Sequence, residues 1–292
     1  MISYSKCDLN IEKDVLELKS LWLNSFEDNT TALDIFFDKN RDKMSVYSAR
    51  NEKEIISALY LIDCTLNGEK AHYLCGASTN KSYRGRGIMS ALIEFALECS
   101  SKSGDKYSVL FPASESLYSF YSAFGYQEKC SALISEISRD RLEKIVLKQN
   151  FDNIQADDFG QLNNYENLQM QAFEKNFLFY DADFIDFTKE YYNAYEVKII
   201  DADNCFALFE ESKDCADVFY SMCLDFSFLA KELLKKSKAK KFKFVNKADV
   251  MKKDNLTSQL FDENKVIKYG MIKSLNNNSE LFDDVFIGIT LN

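Results

Sequence analysis

The chain is poor in the residues that bend, break or metallate a protein. It has one proline, one histidine and nine glycines in 292 residues. With His72 alone, no histidine-based metal site and no triad calling on a second histidine is available. The eight cysteines form no Cys-x-x-Cys pair and sit mostly in apolar runs, which reads as buried free thiols in a reducing cytoplasm. No apolar run approaches the ~20 residues of a membrane span. No charged n-region with an apolar h-region follows Met1, so a cytoplasmic protein without a membrane partner is expected. Positive charge is also short: 36 basic residues against 46 acidic ones leave a net charge of −10. That argues against a nucleic-acid partner and suits a cationic substrate or plain solubility.

What is abundant is core. Hydrophobic residues make up 46% and aromatics 14%, enough for one large domain or two ordinary ones. Ile11, Val15, Leu18, Trp22 and Phe26 recur at helical spacing, and Leu33, Phe36 and Phe37 mark a second short helix. Residues 44–49, 54–63 and 71–79 read as a strand meander, with Asn67-Gly68 as a hairpin turn. A helix over 88–102 ends at Gly104. A strand over 107–111 stops at Pro112, and a helix over 115–123 and a strand over 126–138 follow. The charged stretch 139–150 reads as a boundary. Beyond it, helices near 161–175, 182–190 and 226–237, strands near 195–200, 205–210, 215–222 and 241–246, and an apolar run at 285–291 loosely repeat the plan.

The densest signal lies between the third strand and the third helix. Two of the nine glycines and two of the six arginines fall in Arg84-Gly85-Arg86-Gly87, directly before an amphipathic helix. Such a turn aims free backbone N–H groups and a positive helix end at one point, which suits a phosphate or pyrophosphate. A dinucleotide fingerprint would need a third glycine where Ser90 stands, and a P-loop would need a following Lys-Ser or Lys-Thr. A bare helix-capping turn with solvated arginines is the plain alternative.

With Tyr83 before it and Ile88-Met89-Ser90-Ala91-Leu92-Ile93 after it, this segment resembles the pyrophosphate loop of the GCN5-related N-acetyltransferase (GNAT) family. Phe111-Pro112-Ala113, then Leu117 to Tyr126 with Tyr121, Gly125 and Tyr126 at the family's tyrosine–three–glycine–aromatic spacing, extend the match. Leu21-Trp22, Ser25 to Asp28 and Gly76-Ala77-Ser78-Thr79 are similar to the "enhanced intracellular survival" (Eis-like) branch. The resemblance covers about residues 10–135 and thins afterwards to Tyr269-Gly270-Met271-Ile272. Met89 departs from the motif, which commonly ends in glycine or alanine.

The resemblance implies an α/β (α+β) GNAT fold, a mixed, mostly antiparallel sheet flanked by helices. It implies an acetyltransferase domain over 1–140 with acetyl-CoA as donor. A degenerate GNAT-like domain over 150–292 is expected to follow. The implied cofactor-binding residues are Arg84, Gly85, Arg86, Gly87, Ile88, Met89 and Ser90 for the pyrophosphate. Ala77, Ser78 and Thr79 lie along the pantetheine arm, with an oxyanion donor near Ala77 or Ser78. Tyr121 is the implied donor to the departing sulfur, with Tyr118 one turn earlier in competition. An amine of pKa ~10.4 costs roughly 4 kcal/mol to deprotonate at neutrality, yet no base is identifiable. Glu115 reads as a helix-start dipole partner and His72 as a packed histidine. As written the chain stops at Asn292 without a third unit, so the terminal-carboxylate base of the Eis-like branch is not expected.

In the second half the loop equivalent to 84–89 should stand before the 226–237 helix. Cys223-Leu224-Asp225-Phe226-Ser227 occupies that place, without glycine and with a repelling carboxylate, so this unit should not bind the cofactor and should wall the acceptor site. The seven lysines from Lys231 to Lys243 read as a solvated helix end and strand face rather than a phosphate patch. Three functions remain in view. The first is transfer of acetyl to a primary amine of a small cationic or peptide acceptor. The second is a non-catalytic acyl-CoA-binding module, and the third a nucleotide-dependent enzyme.

Overall fold

The computed structural model describes residues 1–148, 164–202, 204–247, 261–276 and 281–291. The chain opens on a short strand β1 (Ser3–Lys6), followed by helices α1 (Glu12–Ser25) and α2 (Thr30–Lys39). The meander β2 (Met44–Arg50), β3 (Ile55–Leu66) and β4 (Glu69–Thr79) leads to a 3₁₀ turn at Lys81–Tyr83 and helix α3 (Ile88–Lys102). Then come β5 (Tyr107–Leu110), α4 (Glu115–Ser122), β6 (Ser131–Ser138) and α5 (Arg139–Lys148). The second half adds α6 (Tyr165–Phe173), β7 (Leu178–Phe179), α7 (Ala182–Asn193), β8 (Lys198–Ala202), β9 (Cys205–Glu211) and β10 (Cys215–Cys223). It closes with α8 (Phe226–Lys236), β11 (Lys241–Asn246), β12 (Glu263–Lys268) and β13 (Met271–Ser274).

The strands form two mixed, mostly antiparallel sheets flanked by helices, as the fold class requires. The first runs β1-β2-β3-β4-β5-β13, with β7 paired to β3; the second runs β12-β6-β11-β10-β9-β8. Both contain the same local plan. In the first, β4 and β5 pair in parallel across α3, from Ala71↔Tyr107 to Leu74↔Leu110. In the second, β10 and β11 pair in parallel across α8, from Cys215↔Lys241 to Val218↔Phe244. Each plan carries an irregular register in its longer strand, between Ala58 and Tyr60 opposite β4 and between Val218 and Tyr220 in β10.

The halves are stitched together. Strand β6, read from the sequence as the last strand of the first unit, pairs with β11 and β12 of the second sheet. Strand β13 returns to the first sheet against β5. The alternation of β6 marks it as half-buried but says nothing of which sheet receives it. One apolar cluster runs from Leu9 to Leu291 and takes members from both halves. Strands β1, β7, β12 and β13 escaped the sequence reading because none of them alternates between buried and exposed positions, so each lacks the period-2 signal. The 285–291 run forms no strand but is buried, bridging Cys130 and Phe177 through Val285 and Phe286. The 149–150 end of the charged boundary and the 161–163 start of the expected helix lie outside the described residues.

The lysine run is partnered rather than bare. Lys235 pairs with Glu232, Lys240 with Asp214, Lys241 with Glu136 and Lys243 with Asp217.

Candidate active site

The site is built where β4 and β5 part. Their pairing ends at Leu74↔Leu110, while β4 continues to Thr79. Pro112 follows two residues after the end of β5 and has no N–H to extend the ladder. Residues 75–79 therefore keep β3 as a partner on one side only. Five residues make an open edge of at most about 16 Å.

A bulge sits on that edge. Ala58 faces Ser78 and Tyr60 faces Cys75, so Gly76 and Ala77 stand opposite Leu59 alone. Gly76 is obligatory there: its φ is +60°, and a Cβ would come within 2.3 Å of Trp22 and 2.7 Å of Tyr60. A bulge of this kind leaves an amide out of the ladder and re-aims its neighbours, which turns the Ala77 region toward the opening.

Beyond Thr79 the chain reverses through the 3₁₀ turn. Asn80 Oδ1 accepts from the Ser82 amide at 3.0 Å, and Tyr83 N–H reaches Asn80 O at 2.8 Å. Gly85 and Gly87 take φ of +74° and +73°, with nothing within 4 Å of a notional Cβ at either. The left-handed backbone, not crowding inside the protein, selects glycine here. Gly87 caps α3 with no side-chain hydrogen bond, and the first helical amide engaged is that of Ala91, bound to Gly87 O at 3.0 Å. Among the described residues no hydrogen bond engages the amides of Gly85, Arg86, Gly87, Ile88, Met89 or Ser90. Six unpartnered amides thus lie at and just before the positive end of a 15-residue helix.

Two cavities meet at this point. One of about 370 Å³ lies over the loop, lined by Ala77, Ser78, Thr79, Arg84, Gly85, Gly87, Ile88, Met89 and Ser90. The other, of about 340 Å³, lies between the parted strands and reaches Trp22, Glu27, Tyr73, Cys75, Phe111 and Tyr191. Phe26, Ala77, Leu117 and Tyr121 line both. The loop cavity brings together every cofactor-binding candidate except Arg86. The guanidinium of Arg86 donates to Ser82 O at 2.9 Å and lies over the Tyr83 ring. Arg84 also braces the loop, its Nε donating to Thr79 O at 2.9 Å. One guanidinium nitrogen of each arginine thus braces the turn.

The model for the acetyltransferase (GNAT) domain family matches residues 9–128. This chain carries a GNAT acetyltransferase domain. No curated protein matches the chain in sequence. Among solved structures, a probable N-acyltransferase of Enterococcus faecalis superposes with a TM-score of 0.69 at 14% identity, over 94% of this chain and 72% of its own. A GCN5-related N-acetyltransferase of Anabaena variabilis gives 0.68 at 17% identity, over 94% and 73%. Eis1 of Mycobacterium abscessus gives 0.63 at 12%, over 94% and 74%. At these identities the likeness is one of fold.

Within the GNAT domain, Tyr121 and Tyr118 part company. Tyr121 lines both cavities, and burial, then nearby Cys75, push its hydroxyl up to about 12. Tyr118 lines neither; burial raises it, and the Gly270 backbone, which hydrogen-bonds its hydroxyl, partly offsets that rise. Cys75, in the wall of the cavity between the strands, is pushed up to about 12 by burial and stays a thiol at neutral pH.

His72 is fully buried and away from both cavities. Its Nδ1 lies 2.7 Å from Asp105 Oδ2 and its Nε2 2.7 Å from Ser108 Oγ, which in turn lies 2.6 Å from Tyr126 Oη. Glu115 opens α4 and lines neither cavity. The sequence reading did not name the residues that the second half brings to the cavity between the parted strands: Tyr191 of α7, Tyr195 just past it and Leu291 of the 285–291 run join Glu27 and Asp28 there. Tyr191 and Tyr195 follow the helical spacing of a core face, so nothing local marked them as cavity residues.

The counterpart in the second sheet is closed. Asp225 caps α8 with its own carboxylate, accepting from the Ser227 amide at 2.9 Å. The turn has no glycine, and its cap takes up a donor that a phosphate would need. Among the described residues no cluster of metal-ligating side chains occurs, and no helix is long and apolar enough to cross a membrane.

Proposed function

We propose that the chain is an acetyl-CoA-dependent N-acetyltransferase of Eis-like plan, transferring acetyl directly to a primary amine of a small cationic or peptide acceptor. The observation that carries the reading is the set of six unpartnered amides at the start of α3, continuous with a groove along the unpaired edge of β4. The donor fits this surface. The amides and helix end suit a pyrophosphate, and the 75–79 edge suits an extended pantetheine arm pairing as an added strand.

Acetyl-CoA, when bound, supplies an acetyl thioester. The chain's own residues do the rest. The amides from Gly85 to Ser90 hold the phosphates, with Arg84 and Arg86 bracing their loop. The bulge at Gly76-Ala77 orients a main-chain donor toward developing oxygen charge. Tyr121, at about 12, keeps its proton at Oη. Full transfer to a thiolate near 8.5 would be uphill by about 5 kcal/mol, so Tyr121 stabilises the sulfur by hydrogen bonding. Cys75 stays protonated and does not serve as a nucleophile, which favours direct transfer. Residues 150–292 act as a degenerate GNAT-like unit that walls the acceptor side.

The test is thermal. Acetyl-CoA at about 100-fold its Kd should stabilise the protein by ~2.7 kcal/mol, a rise of several degrees in Tm. Gly87→Glu, which puts a carboxylate among the free amides, should abolish the shift. A wild-type protein indifferent to millimolar acetyl-CoA ends the proposal.

A further inference from the structure

We infer that the acceptor is an arylalkylamine, one primary amine on a short carbon chain ending in an aromatic ring, rather than a polyamine or aminoglycoside. The inference deepens the reading above and rests on it.

The acceptor-side cavity of about 340 Å³ has a wall rich in rings, among them Trp22, Phe26, Tyr73, Phe111, Tyr191 and Tyr195. Its lining contains two carboxylates, Glu27 and Asp28. Asp28 is already engaged. Its Oδ2 accepts from Trp22 Nε1 at 2.5 Å, and its Oδ1 accepts from the Asn29 amide at 2.7 Å and from the Tyr195 hydroxyl. It braces the wall by tying α1 to the residue just beyond α7. Among the described residues Glu27 has no hydrogen-bond or ion-pair partner, and it is exposed beside the shared Phe26.

A polycation entering this space would desolvate several ammonium groups against one free carboxylate, and buried charge without a partner is costly. A single ammonium meets Glu27 as it enters, and its apolar body then meets ring faces and edges. The Ala77 and Tyr121 end, common to both cavities, receives the nitrogen. In the transfer the nitrogen–carbon bond forms as the carbon–sulfur bond breaks. Of the two protons the ammonium loses, one ends on sulfur and one leaves to solvent past Glu27. The products are an N-arylalkyl acetamide and a free thiol.

The experiment measures thiol release with a chromogenic disulfide, using the full chain, acetyl-CoA and phenethylamine, tyramine, spermidine or kanamycin, alongside the acetyl-CoA Tm shift. The expected result is a kcat/KM for phenethylamine or tyramine about tenfold or more above that for either polycation. Glu27→Gln should lower that kcat/KM and leave the Tm shift unchanged. Equal or better turnover of spermidine or kanamycin overturns the inference. So does an unchanged kcat/KM in Glu27→Gln, or the absence of arylalkylamine turnover in a protein that acetyl-CoA still stabilises; those outcomes leave the donor reading standing. Absence of the Tm shift removes the donor reading and this inference together.

Discussion

Tyr121 and Asp105 show how burial sets chemistry residue by residue. Tyr121 is buried in the wall between two cavities, and the resulting rise to about 12 makes it a donor that does not ionise across the working pH range. Tyr121→Phe should lower kcat on the order of 10²-fold while the acetyl-CoA Tm shift persists; an unchanged kcat would remove its role. Asp105 is the opposite case. Burial alone would raise it, but its hydrogen bond with His72 and its ion pair with Lys70 outweigh that and hold its carboxyl below the usual range. The folded state then takes up the proton less readily than the unfolded chain. The stabilisation is complete above the unfolded value of about 3.9 and fades as pH falls through the lower folded value. Asp105→Asn should cost about 2 kcal/mol at pH 7, and the gap to wild type should narrow below about pH 4 in denaturation curves. A gap that stays constant with pH would assign the cost to packing instead.

At the scale of the element, β4 and α3 form the working part. The β4 bulge depends on Gly76, whose missing side chain lets Trp22 and Tyr60 pack over the backbone. Gly76→Ala combines a left-handed backbone with a collision against two rings and should destabilise by about 2–4 kcal/mol, read as a lower urea midpoint. A midpoint within error of wild type would show that the rings move aside. The two strand–helix–strand plans also explain why one half keeps free amides at its turn and the other does not. Gly87 leaves the start of α3 uncapped, whereas Asp225 caps α8 internally. This difference was legible in the sequence because it resides in the residue types of a few consecutive positions. The helix ends were legible for the same reason: Gly104 takes φ of +97° just after α3.

On the scale of the molecule, the sheets exchange strands. The first needs β13 and β7 from the second half, and the second needs β6 from the first. A fragment of residues 1–140 would leave the edge of β5 bare and open the shared apolar cluster. It should lack a cooperative thermal transition by circular dichroism, where the full chain shows one; a sharp transition in the fragment would show that the first unit folds alone. The exchange also brings Tyr191, Tyr195 and Leu291 to the cavity between β4 and β5, so the second half helps to shape a cavity of the first sheet.

By itself the sequence determined the local grammar: the helix stripes, the Asn67-Gly68 hairpin, the glycine turn before α3 and the missing turn before α8. Each rests on interactions among residues a few positions apart, where φ preference, capping and periodicity act directly. Only the tertiary structure decided that β6 and β13 cross between sheets, that Tyr121 rather than Tyr118 faces both cavities, and that Asp28 is consumed in bracing while Glu27 is left free. Those outcomes depend on which distant surfaces bury one another, and a pattern of period two or 3.6 marks the face that seeks burial without naming its partner.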